Sequence, residues 1–377
     1  MIRLLESKDI DSIIKIENDT LFESLGFDML NDIISNPIMK AFVYENNDKV
    51  LGYISISFDG IVLEILNFCV DKLNQGLGIG KSLLNYAIMD SYKNNCKSVI
   101  LEVRESNINA IKLYESFGFK RIHIRKNYYK NLENALVYEK KLYDFNEVLD
   151  IELNHNAKKI VTDDYIKYYD EYQFDKYYHN YYSIKNEDIL NELIELNKDK
   201  PFFCFEYDKL IKNNESYELD INILMASFIK AININTKIPN NVYKVDESNK
   251  DIAFELLFND SIEYGAEFAR RDSNVLVNNC INGITNGFLI IENGKALGFI
   301  NVHNKNDIIE LDHFFILEEY RNMGYGSKLV KYVLNYFSNL GSNIVILIAD
   351  EMDTPKDMYK KWGFIEIEKT YFYRRGN

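Results

Sequence analysis

The chain has 377 residues, of which 47% are hydrophobic, and a net charge of −14. That length exceeds one ordinary core and sets an expectation of two or three domains. The acidic balance, with no long basic run, argues against a non-specific nucleic-acid binder, which must neutralise phosphates; it suits a basic protein or a cationic small substrate, although solubility alone also accounts for it.

Cys69, Cys96, Cys204 and Cys280 have no C-x-x-C spacing, so neither a zinc site nor a disulfide framework is expected. Charges at Arg3, Glu6, Lys8 and Asp9 argue against a signal peptide. No apolar run approaches the ~18 residues of a membrane span. The expected setting is soluble and cytoplasmic, with no metal, no membrane partner and no nucleic-acid partner.

A first strand is predicted at 2–5. Ile10, Ile13, Ile14 and Ile16 then follow at helical spacing. A second short helix, 27–35, stops before Pro37. Runs 41–45 and 50–57 flank Asn46-Asn47-Asp48, a hairpin signal. The apolar run 61–70 leads into the turn Gln75-Gly76-Leu77-Gly78-Ile79-Gly80-Lys81, which opens a helix over 82–92. A strand at 98–103 carries Glu102. The segment 107–119 carries Tyr114 and ends in Gly118-Phe119. Strands near 119–124 and 135–141 complete an alternation typical of a mixed α/β domain.

The glycine turn admits several readings. Glycines free the backbone, and a helix N-terminus offers unpaired N–H groups and partial positive charge, so together they cradle a phosphate or pyrophosphate. A P-loop needs G-x-x-x-x-G-K-[ST], but Gln75 stands where its first glycine should be. A dinucleotide turn needs G-x-G-x-x-G, whereas these glycines fall at Gly76, Gly78 and Gly80. The pattern [QR]-x-x-G-x-G fits Gln75, Gly78 and Gly80. A glycine turn with no ligand is the plain alternative.

The surrounding residues resemble the GNAT superfamily of N-acetyltransferases, and within it the ribosomal-protein alanine N-acetyltransferases. The resemblance is carried by Asn67-Phe68-Cys69-Val70, the turn 75–80, Leu101-Glu102-Val103-Arg104, Ser106-Asn107, Ala110-Ile111, Leu113-Tyr114-Glu115, Gly118-Phe119 and Arg125-Lys126-Asn127-Tyr128-Tyr129. It spans residues 1–143. The family's Pro-Trp pair after the first helix is missing. Phe22-Glu23-Ser24-Leu25-Gly26 occupies that place, which puts the protein substrate in doubt and leaves the cofactor half intact.

Residues 145–240 say least. The tract 163–182 holds eight tyrosines, and Tyr165, Tyr168, Tyr169 and Tyr172 have the spacing of one helix face. A packing stripe is the expectation, with an aromatic ligand surface as the alternative. A helix is read over 184–197 and strands over 201–207 and 217–225. The segment is either a degenerate copy of the same fold or a docking element.

The third section repeats the first. Phe42-Val43-Tyr44-Glu45-Asn46 and Leu51-Gly52-Tyr53-Ile54 recur as Phe288-Leu289-Ile290-Ile291-Glu292-Asn293 and Leu297-Gly298-Phe299-Ile300. Gly298 lies 246 residues after Gly52, and Arg321 lies 246 after Gln75; Tyr359 and Gly363 lie 245 after Tyr114 and Gly118. One composite pattern at one offset, with a single-residue slip, indicates internal duplication. The expected organisation is a GNAT domain at 1–144, an intervening segment at 145–240 and a second GNAT domain at 241–377. Each domain would hold a central mixed sheet flanked by helices.

The resemblance implies acetyl transfer from acetyl-CoA to a primary amine by direct attack. Gly76, Leu77, Gly78, Ile79, Gly80 and Lys81 would then hold the CoA pyrophosphate, behind Gln75. In the second domain Met323, Gly324, Tyr325, Gly326 and Ser327 would do so, behind Arg321 and Asn322. A backbone N–H near Cys69–Val70 or Phe315–Ile316 would face the thioester oxygen, whose negative charge grows during attack. Asn107 would contact the pantetheine arm, although asparagine at a helix start is a good cap without any ligand.

Glu102 is the candidate base, acting through water; pairing with Arg104 or Arg121 is its structural alternative. Tyr114 is the candidate acid for the leaving thiolate, and packing against Phe119 is its alternative. Tyr359 keeps the acid position in the second domain. The base does not carry over, because the offsets place Leu347 or Ile348 over Glu102; Asp312 with His313, or Asp350, is an option. The acidic group Asp350, Glu351 and Asp353 would attract a cationic substrate or form a solvated loop.

The first domain is thus expected to act on a protein N-terminus and the second on another amine. The alternatives are small-molecule acceptors such as polyamines or aminoglycosides, one domain serving only as an acetyl-CoA-binding module, or a P-loop enzyme using ATP. The sequence leaves the oligomeric state open.

Overall fold

A computed structural model describes residues 1–22, 24–142, 157–211, 216–352 and 355–376. Glu23 and Asp353, named above, lie outside them. The chain divides into two compact units, Met1–Asp144 and Phe145–Asn377.

The first unit holds one seven-stranded sheet. Its strands are β1 (Ile2–Leu4), β2 (Met39–Asn46), β3 (Lys49–Phe58), β4 (Val62–Val70), β5 (Ser98–Arg104), β6 (Lys120–Arg125) and β7 (Ala135–Lys141), in the spatial order β1-β2-β3-β4-β5-β7-β6. Among the described strands of this unit only β4 and β5 run parallel, joined by the crossover helix α3 (Ile79–Lys93); a parallel pair needs such a connection. Helix α1 (Ile10–Thr20) buries Ile10, Ile13 and Ile16, and α2 (Gly26–Ser35) buries Leu30 and Ile33, in one cluster with Ala41, Val43, Tyr53 and Cys69. Helix α4 (Ile108–Ser116) ends at Gly118, whose φ of +84° suits a residue without a Cβ.

The second unit holds an eleven-stranded sheet. Five strands precede the repeat: β8 (Ala157–Val161), β9 (Tyr165–Asp170), β10 (Tyr182–Ile184), β11 (Phe202–Tyr207) and β12 (Glu218–Phe228). The others are β13 (Val242–Lys244), β14 (Asn286–Glu292), β15 (Lys295–Lys305), β16 (Ile308–Ile316), β17 (Ile344–Asp350) and β18 (Ile365–Gly376). The order is β13-β14-β15-β16-β17-β12-β18-β11-β10-β9-β8.

Its helices are α5 (Leu190–Leu196), α6 (Lys250–Ser261), α7 (Ala266–Ile281), α8 (Tyr325–Asn339) and α9 (Pro355–Trp362). Leu329, Val330, Val333, Leu334 and Phe337 of α8 sit at helical spacing and pack on Phe288, Ile300, Val302 and Ile309 of the sheet.

The two units repeat one register. Val62 pairs with Ser98 and Ile308 with Ile344, both partners displaced by 246 positions. One element is substituted. In the first unit β7 lies antiparallel between β5 and β6; in the second, β12 takes that place between β17 and β18. A strand that precedes the repeat in sequence thus completes its sheet.

The tyrosine stripe is not a helix. Tyr165, Tyr168 and Tyr169 lie on β9, where Tyr168 and Asp170 alternate inward. Pairing with β8 and β10 decides the matter, because aromatic residues fit a pleated surface and tertiary context overrides spacing over so short a window.

Candidate active sites

In each unit the parallel pair opens into a V. The β4–β5 ladder runs from Val62–Ser98 to Ile65–Leu101 and stops, while β4 stays paired with β3 up to Val70. The β16–β17 ladder likewise stops at Glu310–Ile346, while β16 stays paired with β15 up to Ile316. A bulge lies in β4 between its Ile65 and Asn67 pairings, and another in β16 between Asp312 and Phe315; such irregularities end or re-aim pairing near active sites.

Alternation fixes which N–H faces the V. Asp71 N donates to Leu51 O at 2.8 Å, so Cys69 N–H turns to β3 as well and Val70 N–H turns into the cleft. Leu317 N donates to Leu297 O at 2.9 Å, which turns Phe315 N–H to β15 and Ile316 N–H into the second cleft. The Cys69 thiol is buried, and burial pushes its pKa up to about 12.

The glycine turns sit at the mouths of these clefts. Gly78 and Gly324 have φ of +86° and +81° and precede α3 and α8. The first helical bonds run from Ser82 N to Gly78 O and from Lys328 N to Gly324 O, at 3.0 and 3.1 Å. The N–H groups of Ile79, Gly80 and Lys81, and of Tyr325, Gly326 and Ser327, therefore point out of the helix ends. A Cβ on Gly76, Gly78 or Gly324 would meet nothing within 4 Å, so the cradles are open. At Gly80 and Gly326 it would meet the Phe68 and Phe314 rings at 3.4 and 3.2 Å, because both helices back closely onto the cleft strand.

Gln75 and Arg321 brace the turns. Gln75 Nε2 donates to Val70 O at 3.1 Å, and Arg321 Nε to Ile316 O at 3.0 Å. Each side chain ties the turn to the strand end whose N–H faces the cleft. Open donors, room for oxygens and a splayed strand edge together fit the pyrophosphate and pantetheine of acetyl-CoA.

In the first unit Glu102 lies on β5 beyond the end of its ladder with β4, paired with Arg125, Nη1 to Oε1 at 2.5 Å. Arg104 pairs instead with Glu133 at 3.0 Å. Arg125 also stacks on Tyr128, 4.0 Å from its centroid, and the Tyr128 hydroxyl bonds Glu102, which raises its pKa. The Arg104 guanidinium lies 3.7 Å from the Tyr129 ring centroid and 4.4 Å from that of Phe22. Phe22, Arg104 and Tyr129 thus form a stacked wall beside Glu102.

Tyr114 is buried on α4, edge-on to Phe119 at 5.9 Å. Burial, aided by Tyr129, holds its hydroxyl protonated well above the usual tyrosine value of 10.0. Asn107 caps α4 by accepting from Ala110 N at 3.2 Å.

In the second unit Tyr359 holds the same place on α9, edge-on to Phe364 at 5.6 Å. It lines a cavity of about 200 Å³ with Glu310, Asp312, His313, Ile348, Asp350 and Lys356. Ile348, partner by register of Glu102, is an apolar wall. Asp312 accepts from Asn301 Nδ2 at 3.2 Å and stands 3.4 Å from His303 Nε2; against the upward push of burial, the His303 hydrogen bond and the charges of His303, His313 and Lys176 hold its carboxyl far below the usual range. His313, with φ of +40°, turns to Asp260 at 3.6 Å.

His303 and Asn301 were not among the sequence candidates, nor was Glu17. The Glu17 carboxylate is fully buried and accepts from Tyr53, from Asn67 Nδ2 at 2.9 Å, from Ser24 Oγ at 2.6 Å and from Leu25 N at 3.1 Å. Only the two-residue step from Asn301 to His303 along one strand face hints at the second cluster, and nothing local hints at the first.

A splayed parallel pair with an open helix N-terminus at its mouth and a buried tyrosine nearby has the features an acyl-CoA transferase needs, and the arrangement occurs in both units. The acetyltransferase (GNAT) family model matches residues 9–119, and a second acetyltransferase (GNAT) domain model matches residues 259–376. The chain belongs to the GNAT acetyltransferase family and carries two tandem acetyltransferase domains; it is an acetyl-CoA-dependent acetyltransferase.

An uncharacterized N-acetyltransferase of Methanocaldococcus jannaschii is 32% identical over 143 residues, 37% of this chain and 91% of its own. A [ribosomal protein bS18]-alanine N-acetyltransferase of Haemophilus influenzae is 30% identical over 141 residues, 36% of this chain and 95% of its own. A crystal structure of a functionally unknown conserved protein from Staphylococcus epidermidis covers 62% of this chain and 98% of its own, with a TM-score of 0.53 and 20% identity, a likeness of fold alone. No described helix is long and apolar enough to cross a membrane.

Proposed function

We propose that the first domain acetylates the α-amino group of a protein N-terminus and that the second acetylates a different amine. The observation that carries this reading is the contrast at one register position. Glu102 stands at the cleft mouth of the first domain beneath Tyr128, and Ile348 occupies that position in the second. The similarity to the Haemophilus influenzae enzyme supports a ribosomal-protein alanine acceptor for the first domain.

Acetyl-CoA supplies the acyl carbon as a thioester. Val70 N–H is aimed where negative charge grows on the carbonyl oxygen. The attacking nitrogen must be neutral, and an α-amino group has a pKa near ~8. Glu102 takes the amine's proton through water, and Tyr114 gives its own to the departing sulfur. Ile316 N–H and Tyr359 take the corresponding parts in the second domain. Gln75–Lys81 and Arg321–Ser327 bind the CoA pyrophosphate.

A second reading, small-amine acceptors for both domains, is favoured by Phe22 and Ser24–Gly26 standing where the family's Pro-Trp pair is missing. The test is CoA release with peptides bearing free N-termini, lysine peptides and small amines, followed by mass analysis. Wild type runs beside Tyr114→Phe and Tyr359→Phe. Peptide N-terminal acetylation stopped only by Tyr114→Phe supports the first reading; acetylation of small amines alone removes it.

A further inference from the structure

Residues 171–181 join β9 to β10, both near one end of the eleven-stranded sheet. β11, β18 and β12 separate these strands from the cleft between β16 and β17. The connection nevertheless reaches α7 beyond that cleft. Gln173 Nε2 donates to Asp272 Oδ1 at 2.6 Å, Lys176 Nζ meets the same oxygen at 3.0 Å, and Arg271 pairs with Asp175. Gln173 and Asp272 are both buried. On the near side Tyr178 OH donates to Asp220 Oδ2 at 2.9 Å; Asp220 lies on β12, two residues from Asn222, the cross-strand partner of Asp350.

A segment pinned on β12 and again on α7 must cross β17 and β16, the strands that splay. It is within electrostatic reach of the cleft. Lys176 lowers the pKa of Asp312, while Asp312 acts on His179 and Asp350 on Tyr178.

We propose that this strap is the outer wall of the second domain's acceptor site, and that the site takes a small amine bearing positive charge and excludes a polypeptide. The proposal rests on the second domain being a working transferase. The cavity of about 200 Å³ has room for a short alkylamine. Among the described residues, Glu310, Asp312 and Asp350 line it with one lysine, Lys356, whose Nζ donates to Glu351 O at 2.7 Å. Asp312 presents 41% of its side chain while His303 and Asn301 fix it from behind. It is the anionic anchor for the acceptor's charge, and the strap limits what can reach it.

The test uses the full chain carrying Tyr114→Phe, so that turnover reports on the second domain. Spermidine serves as the small-amine probe and an octapeptide with a free N-terminus as the polypeptide probe. Spermidine is acetylated and the octapeptide is not. Asp312→Asn raises the KM for spermidine at least about thirtyfold, the loss expected when one side of a close charge pair is removed, and leaves the KM for acetyl-CoA unchanged. Gln173→Ala, Asp175→Ala and Lys176→Ala combined remove the strap's named contacts with α7, raise the spermidine KM and admit the octapeptide.

Acetylation of the octapeptide with the strap intact overturns the proposal, and so does a strap variant with an unchanged spermidine KM. Calorimetry separates the failures. If two acetyl-CoA molecules bind per chain and neither probe reacts, the acceptor class is wrong. If only one binds, the second domain is not a working transferase and the proposal falls with that reading.

Discussion

Arg125 Nη1 lies 2.5 Å from Glu102 Oε1, so the candidate base of the first domain is already engaged by a cation at the cleft mouth. Two roles for Glu102 predict different patterns. If its carboxylate relays the amine's proton, Glu102→Gln lowers kcat by ~10²–10⁴, whereas Arg125→Met, which keeps the carboxylate, retains most of the rate at saturating acceptor. Equal losses in the two variants would make Glu102 merely the partner of Arg125. Steady-state kinetics with a peptide acceptor decides.

Tyr114 yields a prediction in pH. Its hydroxyl titrates above 10.0 in the folded chain because burial disfavours the phenolate. Folding therefore favours the neutral form. The associated stability is present in full below pH ~10 and is lost as the pH rises through the higher folded value. Denaturation followed from pH 8 to 11 will fall at the alkaline end, and Tyr114→Phe will lessen that fall. Turnover will show no Tyr114-dependent decline below pH ~10.

Gln75→Ala and Arg321→Ala each remove a hydrogen bond that braces a glycine turn proposed to hold CoA. A bond of this kind is worth ~0.5–1.5 kcal/mol, so acetyl-CoA should bind roughly two- to tenfold more weakly at the altered domain, with the melting temperature little changed. Titration calorimetry checks both sites.

Gly298 allows β15 to approach β16 where the second cleft opens. A Cβ there would lie 2.6 Å from Phe315 O, and at Gly52 the corresponding atom would lie 2.8 Å from Cys69 O. Backbone cannot move aside as a side-chain tip can. Gly298→Ala should destabilise the second unit by ~1–3 kcal/mol and displace the strand that carries Ile316. Chemical denaturation is the measurement; an unchanged midpoint would refute the steric account.

Glu17 links α1 to Asn67 on β4 and to Ser24 and Leu25 ahead of α2. Glu17→Ala strands several buried donors, each costing ~1–3 kcal/mol. It should lower stability clearly and raise the acceptor KM of the first domain, whereas Glu17→Gln, which keeps an acceptor oxygen, should lose less. Equal effects would show that the carboxylate charge itself is needed.

The repeat was legible because its parts are local. The turn 75–81 and its copy 321–327 carry their own backbone chemistry, and the shared offset needs no structure to see. The contacts around Asp272 and Glu17 were not legible. Asp272 meets Gln173 across nearly a hundred residues, and Glu17 meets Asn67 across fifty; only the fold brings such groups together. The substitution of β12 for β7 was hidden for the same reason, since strand order is set by pairing and not by sequence order. Tyr165–Tyr172 misled because four residues at i, i+3, i+4 and i+7 fit a helix while β-pairing was available on both sides.

β18 lies between β11 and β12, two strands that are near neighbours in sequence and not in the sheet. During vectorial synthesis both are made well over a hundred residues before β18 emerges. Each then presents an uncovered backbone edge of the kind that recruits other chains. The first unit closes its sheet from local neighbours and has no such interval. The second unit is therefore the part of the nascent chain for which a holdase chaperone matters most.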